Sequence, residues 1–241
     1  MLTIWNPPPT QASLVVGEIH IWRFALDIPE AEIEHRLQYL SEDERARAER
    51  FVFKNSRDAF IAARGALRRT LALYLQADPT SIRFDYTNQG KPAINSADNP
   101  QDLRFNLSHS AGMALLALTL GCEVGVDIEK VRADFPYLEI AQQFFTAAEY
   151  AALCATAPAL QAETFFNYWT HKEALIKATG VGLSVPLNQF EVSLAPGVAI
   201  TSLSETVQVP AHSLHALAPG AGYVGACVVL GECSHITLWG S

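Results

Sequence analysis

Two stretches of sequence decide the fold: GVDIE at residues 125–129 and WTHKEALIK at residues 169–177. In the first, Val126 and Ile128 alternate with charged residues, which predicts a buried β-strand with one apolar face. The second predicts an α-helix. Together they place three carboxylates and a lysine in otherwise apolar segments, where an unpaired charge is costly. A divalent cation with oxygen ligands, often shared with a phosphate, is a common reason for collecting carboxylates in this way.

Asp127 and Glu129 are two residues apart on the predicted strand. Residues i and i+2 of a strand point to the same face, so the two carboxylates are expected to lie side by side. Their repulsion would raise the pKa of one of them. Mg²⁺ would keep both ionised, and it usually completes its shell with water and substrate phosphate. The alternative is a solvent-facing strand surface on which Lys130 is a passing partner.

Glu173 and Lys177 are four residues apart on the predicted helix, with the acid first, which is the favourable order for an ion pair. Such pairs are common on solvated helix faces, and that alternative stays open for the pair taken alone. What favours a functional interpretation is its combination with Asp127 and Glu129 in one chain.

The pattern of predicted elements is repeated along the chain. A capping-box motif at 41–44 and a helix at 58–76 are matched by a capping box at 146–149 and a helix at 160–178. Short strands with alternating apolar residues follow each long helix. They are predicted at 82–86, 103–107 and 113–120 in the first half, and at 190–194, 214–217, 223–230 and 236–239 in the second.

This pattern predicts an α+β fold of two similar halves, residues 1–118 and 119–241, related by pseudo-twofold symmetry. Each half is expected to hold a small, mostly antiparallel sheet packed by helices, with the active site in a cleft between the halves. Lys177 on the second long helix is expected to correspond to Arg68 on the first. The alternative is that any two α+β stretches resemble each other at this level of detail.

Composition excludes several classes of protein. The formal net charge of −8 argues against a general nucleic-acid binder, which needs a basic face. The four cysteines are scattered without C-x-x-C spacing, which disfavours a zinc site and indicates free thiols in a reducing compartment. There is no run of about 20 apolar residues that would span a membrane, and the N-terminus lacks the basic start of a secretory signal. A cytoplasmic protein is therefore expected.

Three further segments could contact phosphate. A glycine turn at 90–92 (GKP) projects Lys91, a compact charge suited to phosphate. The segment 105–110 (FNLSHS) ends a predicted strand with Ser108 and His109, which could present hydroxyl and imidazole donors. Taken singly, the first is an ordinary surface turn and the second a histidine in a polar turn.

Arginines are concentrated between residues 45 and 69. Arg64 and Arg68 share a helix face, and in a chain of negative net charge such a cluster could form an anion pocket. The alternative is simple solvation, since acidic residues interleave with the first arginines of the cluster and could pair with them.

These segments, in this order, resemble the phosphopantetheinyl transferases of the surfactin-synthetase type. That family's pattern is G-K-P, then F-N-x-S-H-S, then G-[IV]-D-[IL]-E, then W-x-x-K-E-[AS]-x-x-K, and here it stands at 90–92, 105–110, 125–129 and 169–177. The last two motifs at their mutual spacing are specific, whereas the others are supporting. The resemblance covers roughly residues 14–230, and the length and two-half organisation are similar to those of monomeric members.

The resemblance implies a reaction and a set of roles. The phosphopantetheine arm of coenzyme A would move to a serine of an apo acyl or peptidyl carrier protein, with release of adenosine 3′,5′-bisphosphate. The carboxylates would hold Mg²⁺ at the pyrophosphate, one of them would also serve as the base, and basic residues would hold the phosphates and the nucleotide end. By motif, the metal ligands are Asp127, Glu129 and Glu173; the catalytic residues are Glu173, Lys177 and His109; the coenzyme A contacts are Arg45, Arg47, Arg64, Lys91, Ser108, His109 and Lys177.

One residue departs from the family's pattern. Some members carry lysine where Glu44 stands, and an acid there cannot hold a phosphate, so Arg45 or Arg47 would have to substitute. Carrier docking is expected through apolar residues near 113–120 or 144–154, with a local basic spot. Two other functions stay open: a Mg²⁺-dependent phosphohydrolase acting on a nucleotide or coenzyme A, and a non-catalytic module that binds carrier proteins.

Overall fold

The computed structural model describes residues 4–87, 89–180, 185–194, 199–202, 210–233 and 235–240. Within these residues the chain divides into two compact units. The N-terminal unit comprises Ile4–Gly121 and the C-terminal strand, and the second unit comprises the described part of Cys122–Ser234. Both mix helices with small sheets, so the predicted α+β class is confirmed.

The N-terminal unit contains one main sheet, one small hairpin and three helices. Its elements are β1 (Glu18–Ala25), α1 (Glu30–Leu37), α2 (Glu42–Glu49), α3 (Lys54–Leu75), β2 (Phe84–Tyr86), β3 (Pro92–Ile94), β4 (Leu103–Ser110), β5 (Met113–Leu120) and, from the C-terminus, β11 (His235–Gly240). The strand order of the main sheet is β11-β1-β5-β4. Helix α3 packs Leu67 and Leu71, both fully buried, into a core with Leu116 and Leu118 of β5.

The second unit has a three-stranded sheet, a second hairpin and three helices. Its elements are β6 (Val124–Lys130), α4 (Tyr137–Phe144), α5 (Ala147–Ala155), α6 (Pro158–Thr179), β7 (Phe190–Ser193), β8 (Ala199–Ser202), β9 (His212–Gly220) and β10 (Tyr223–Leu230). The sheet has the order β6-β10-β9. Phe165 and Phe166 of α6 form an aromatic core with Phe145 and Phe135. No helix among the described residues is long and apolar enough to span a membrane.

The two units repeat one topology. In each, a first strand is followed by short helices, a helix of 22 residues, a small hairpin and a second antiparallel pair. The last strand of that pair lies in the middle of three, because β5 pairs with β1 and β4 as β10 pairs with β6 and β9. The repetition predicted from the sequence is therefore present in both element order and sheet order.

A buried ion pair stands at the same place in each repeat. Glu44 is the third residue of α2 and completes a capping box, and Glu149 does the same in α5. Each glutamate accepts from a buried cation on the following long helix: Arg68 Nε is 2.5 Å from Glu44, and Lys172 Nζ is 2.8 Å from Glu149. Arg68 lies 14 residues after Lys54, and Lys172 lies 14 residues after Pro158.

The backbone partners of the two cations correspond as well. Arg68 Nη1 donates to the carbonyl oxygens of Pro79 and Ile82, at 2.8 and 3.0 Å. Lys172 Nζ donates to those of Leu187 and Phe190, at 2.8 and 2.7 Å. In each unit the cation therefore ties the long helix to the short 3-10 turn that follows it. The counterpart of Arg68 is Lys172, so the expected correspondence with Lys177 was wrong.

The C-terminal strand departs from the expected division at residue 118. The units separate between Gly121 and Cys122, and β11 joins the N-terminal sheet by pairing in parallel with β1. Parallel pairing between the two ends of a chain leaves no local signal such as a hairpin turn. No strand was predicted at β1, and the strand predicted at 236–239 was expected to belong to the second half, which was wrong.

Candidate functional site

The acidic motif lies on the strand of the second unit that packs against its long helix. Gly125 makes this approach possible: a Cβ there would overlap the backbone of Ala174 and Ala178 on α6. A close contact between strand and helix backbones brings the side chains that follow on β6 next to α6. The glycine of the motif thus has a structural role that the sequence analysis did not assign to it.

Asp127 and Lys177 form the central contact of this site. Asp127 is 4% exposed, and its Oδ1 accepts a hydrogen bond of 2.6 Å from Lys177 Nζ. The same ammonium lies 3.4 Å from the carbonyl oxygen of Val126. The charge of the ammonium offsets part of the hydration that the carboxylate loses on burial. The sequence predicted Glu173 as the partner of Lys177, but the ammonium of Lys177 also bonds to Asp127.

Glu173 is half-buried on α6 beside this pair. Burial raises the pKa of its carboxyl, the charges of Asp127 and Glu129 raise it further, and Lys177 opposes the shift. The three carboxylates are therefore close enough to repel one another, with one ammonium among them. A carboxyl with a raised pKa beside a charged partner is typical of acid–base sites, although structural networks show it too.

Asp127, Glu129, Glu173 and Lys177 thus lie near one another, as predicted, but they form no complete metal centre. Within the described ranges, no group of three or more His, Cys, Asp or Glu side chains is placed to hold a metal ion. The predicted magnesium site remains a prediction.

The arginine cluster lies on α2 and α3 of the N-terminal unit. Arg64 and Arg68 share the carboxylate of Glu44, which is 3% exposed, and Arg64 Nε is 2.6 Å from its Oε1. Glu44, the departure from the family pattern, is therefore an internal counter-ion. Two guanidinium groups against one carboxylate leave a net positive charge. Arg64 also lies over the ring of Phe84, 4.8 Å from its centroid.

Arg45 and Arg47 are exposed on α2. Arg45 donates to the carbonyl oxygens of Leu40 and Gln38, at 3.0 and 3.1 Å. Arg47 lies over the ring of Phe60, 5.2 Å from its centroid. Neither guanidinium group forms an ion pair within the part of the chain that the structure describes, which suits both to an anionic ligand.

The two remaining phosphate candidates lie on strands or turns of the N-terminal unit. Ser108 and His109 are adjacent on β4, so Ser108 is buried and His109 is exposed. Lys91 follows a turn between β2 and β3 in which Gly90 has φ +81° and donates to the carbonyl oxygen of Thr87 at 2.8 Å. These positions agree with the predicted strand end and glycine turn.

Comparison with known proteins covers nearly the whole chain. Residues 123–228 match the family described as the 4′-phosphopantetheinyl transferase superfamily, and residues 28–120 match 4′-phosphopantetheinyl transferase, N-terminal. The chain is 38% identical to the 4′-phosphopantetheinyl transferase HetI of Nostoc sp. over 227 residues, which is 94% of each chain.

Two further relatives carry related descriptions. The chain is 36% identical over 150 residues to a putative 4′-phosphopantetheinyl transferase of Synechocystis sp., covering 62% of this chain and 61% of that protein. It is 34% identical over 176 residues to the 4′-phosphopantetheinyl transferase Sfp of Bacillus subtilis, covering 72% and 76%. The chain therefore belongs to the 4′-phosphopantetheinyl transferase superfamily and is an enzyme of the surfactin-synthetase type, which transfers phosphopantetheine from coenzyme A to carrier proteins.

Proposed function

We propose that the carboxylates on β6 and α6, together with Lys177, perform the transfer of the 4′-phosphopantetheine arm of coenzyme A to a serine of an apo acyl or peptidyl carrier protein. The oxygen of the serine hydroxyl attacks the phosphorus next to the pantetheine. A new P–O bond forms, the pyrophosphate P–O bond breaks, and its electron pair leaves with adenosine 3′,5′-bisphosphate. The reaction needs positioning and charge neutralisation more than covalent help from the protein.

The observation that carries this proposal is the raised pKa of Glu173 beside Asp127 and Lys177. A carboxylate with a raised pKa is a better acceptor for the serine proton, so Glu173 takes that proton directly or through a water. The ammonium of Lys177 lies at the same place and is partly exposed. When coenzyme A binds, it donates to the pyrophosphate and offsets the charge that builds on the leaving bisphosphate.

The donor set suits Mg²⁺. Asp127, Glu129 and Glu173 offer hard oxygen ligands, and their mutual repulsion is only partly offset by Lys177. These three residues would serve as ligands once their side chains converge on the cation, with substrate phosphate and water as the remaining ligands. When bound, the cation supplies Lewis-acid polarisation of the phosphates. Glu173 then combines the roles of ligand and base.

The transfer assay tests the assignment. Incubation with Mg²⁺, coenzyme A and an apo-carrier protein should increase the mass of the carrier by one phosphopantetheine arm. Asp127→Asn and Glu173→Gln should each lose at least a hundredfold in kcat, since general-base catalysis alone contributes about 10²–10⁴-fold. Glu163→Gln is the matched control, because Glu163 is exposed on the same helix.

Three results would count against the proposal. Full activity of both site variants would show that the carboxylates are not the reacting groups. Release of bisphosphate from coenzyme A without any carrier would instead favour the phosphohydrolase. Binding of the carrier in calorimetry, without Mg²⁺-dependent binding of coenzyme A, would favour the non-catalytic module.

The phosphates and the nucleotide end of coenzyme A are assigned to the N-terminal unit. Exposed His109 and partly exposed Lys91 are proposed to contact the phosphates, with Ser108 at the adjoining buried position. Arg45 and Arg47 are proposed to hold the nucleotide end. Arg64 adds positive charge there, because the two guanidinium groups of Arg64 and Arg68 share only one carboxylate, that of Glu44.

Steady-state kinetics distinguish the residues proposed to bind coenzyme A from those proposed to take part in the reaction. Arg47→Gln should raise the KM for coenzyme A about tenfold with little change in kcat, as expected for contacts kept unchanged between ground and transition states. Arg83→Gln is the control, because Arg83 is exposed and pairs with Asp98. A fall in kcat at unchanged KM would remove Arg47 from the binding role.

Of the two segments expected to dock the carrier protein, 113–120 and 144–154, we propose the second. Docking through residues 113–120 is excluded, because β5 lies in the middle of its sheet and is buried along nearly its whole length. We propose that the docking surface lies near 144–154, where Phe144 is 40% exposed. Leu160, later in the same unit, is 54% exposed. Phe144→Ser should raise the KM for the carrier and leave that for coenzyme A unchanged.

We further propose a cytoplasmic monomer. No disulfide links any of the four cysteines, all of which lie in the described ranges, as expected in a reducing compartment. The repeated topology within one chain supplies two units without a second copy. Light scattering of the purified protein should give the mass of one chain, 26.3 kDa, and cell fractionation tests the compartment.

A further inference from the structure

A cavity of about 500 Å³ lies in the N-terminal unit, on a face of α3 that none of the proposed roles uses. Ala66, Arg69, Thr70 and Leu73 line it from the helix. Their spacing of three and four residues defines one helix face. Arg64 is not part of that lining. The volume is within the range of sites for small molecules, about 300–1,000 Å³.

Two arginines give this cavity a positive charge. Arg36 from α1 and Arg69 from α3 both line it. Burial lowers the pKa of Arg36, and the nearby positive charge of Arg69 lowers it further. Glu32 acts in the opposite sense on Arg36. Among the described residues, the cavity lining contains no acidic side chain.

Arg36 is held in a fixed position. Its Nη1 donates to the carbonyl oxygen of Ala62 at 2.9 Å, which leaves its other N–H groups available for further bonds. Its backbone passes so close to α3 that a Cβ on Gly65 would lie 2.6 Å from Arg36 Cβ. A guanidinium group fixed before binding loses less entropy when it takes up a ligand.

The rest of the lining is flat and apolar. Trp22 and Phe24 are on the same face of β1, with their rings stacked 6.2 Å apart at 13°. Pro9 lines the cavity from the N-terminal segment. Rings and prolines of this kind favour contact with a flat apolar group. Thr70, which is buried, also lines the cavity from α3.

We propose that this cavity is a second binding site, separate from the catalytic residues, for a small molecule that carries an aromatic ring and an oxyanion. The two guanidinium groups would bind the carboxylate or phosphate in a forked manner. The ring would lie against Phe24, Trp22 and Pro9. The proposal is independent of the roles assigned to the carboxylates of β6 and α6.

Calorimetry on the full chain, with saturating coenzyme A present to fill the catalytic site, tests the proposal. The probes are phenyl phosphate, benzoate, inorganic phosphate and benzyl alcohol. Phenyl phosphate or benzoate should bind in the millimolar range or tighter, and at least tenfold more tightly than inorganic phosphate or benzyl alcohol. Arg69→Gln should weaken that binding about tenfold, the loss expected for a charge-assisted hydrogen bond, and should leave phosphopantetheinyl transfer unchanged.

Arg83→Gln, an exposed arginine outside the cavity, should bind the probes like the unaltered protein. Arg36→Gln should weaken binding as well; if it unfolds the protein, Arg69→Gln alone decides, because Arg69 is exposed and its loss should not disturb folding. Equal affinity of the Arg69→Gln variant and the unaltered protein would overturn the site. No measurable binding of phenyl phosphate or benzoate, or equal binding of benzyl alcohol, would overturn it too.

Discussion

The buried pair of Glu149 and Lys172 should be the most sensitive point of the second unit. The substitution Lys172→Met keeps most of the side-chain volume and removes the charge. It leaves Glu149, which is 1% exposed, without its cation. It also removes the donor to the carbonyl oxygens of Leu187 and Phe190. The perturbation therefore creates one uncompensated buried charge and two acceptors that have lost a bond.

The magnitude follows from these losses. Removing one partner of a buried ion pair costs about 3–5 kcal/mol, and each lost bond to a buried carbonyl adds to it, although such terms are not additive. Glu149 keeps two backbone donors, the N–H groups of Val192 at 2.8 Å and of Thr146 at 2.9 Å, which limit the loss. We expect the free energy of unfolding to fall by about 4 kcal/mol, a large part of the 5–15 kcal/mol typical of a folded protein.

Urea denaturation measures this change. The double variant Glu149→Gln/Lys172→Met should recover part of the loss, since removing both charges leaves none unpaired.

The matched control is Lys54→Met, because Lys54 forms an exposed pair with Asp58 on the other long helix and should matter little. A loss below about 1 kcal/mol for Lys172→Met would refute the reasoning. Arg68→Met in the N-terminal unit should cost less than Lys172→Met, because Glu44 keeps Arg64 as a cationic partner.

Three other changes test the site and the N-terminal core. Gly125→Ala should leave little folded, active protein in an expression and transfer assay, because its Cβ would overlap the backbone of α6; near-normal activity would contradict that approach. Lys177→Gln should cost at least a hundredfold in kcat and move the acid limb of the pH–rate profile to higher pH, because the charge of Lys177 lowers the pKa of Glu173; an unmoved limb would refute this electrostatic role. Burial lowers the pKa of His20, whose Nδ1 is 2.6 Å from the hydroxyl of Tyr74, so the unfolded chain binds more protons below about pH 6.5 and stability should fall as the pH drops through that range. His20→Gln should flatten this dependence in urea melts, and an unchanged slope would assign it to other groups.

Local patterns in the sequence were sufficient for much of the fold. The capping box at Ser41 begins α2, and that at Thr146 begins α5, because a hydroxyl and a glutamate three residues on satisfy the free N–H groups of the first turn. The two long helices were predicted within a few residues of their ends. Strands β4, β5 and β10 were predicted from apolar runs. The elements β1, α1 and α4 were missed, because the polar residues in or around them obscured their apolar periodicity.

The candidate site was partly predictable for the same reason. Strand alternation placed Asp127 and Glu129 on one face, and helical spacing placed Glu173 and Lys177 on another. That these faces meet rests on Gly125, whose missing side chain allows β6 to approach α6. The capping boxes also contained a signal for Glu44 and Glu149, but a glutamate at that position only predicts a helix start, and nothing local indicates that it is buried against a cation.

The sequence by itself therefore determined the class of fold, its internal repetition, the family and the residues of the acidic motif, because periodicity, caps and motif spacing are properties of neighbouring residues. Only the tertiary structure decided which charges are paired. Lys177 lies against Asp127, 50 positions away, and Arg64 and Arg68 lie against Glu44. It also decided that β11 pairs with β1 at the opposite end of the chain. Contacts of this kind depend on close packing of distant segments, which brings charges into a buried setting where each must find a partner.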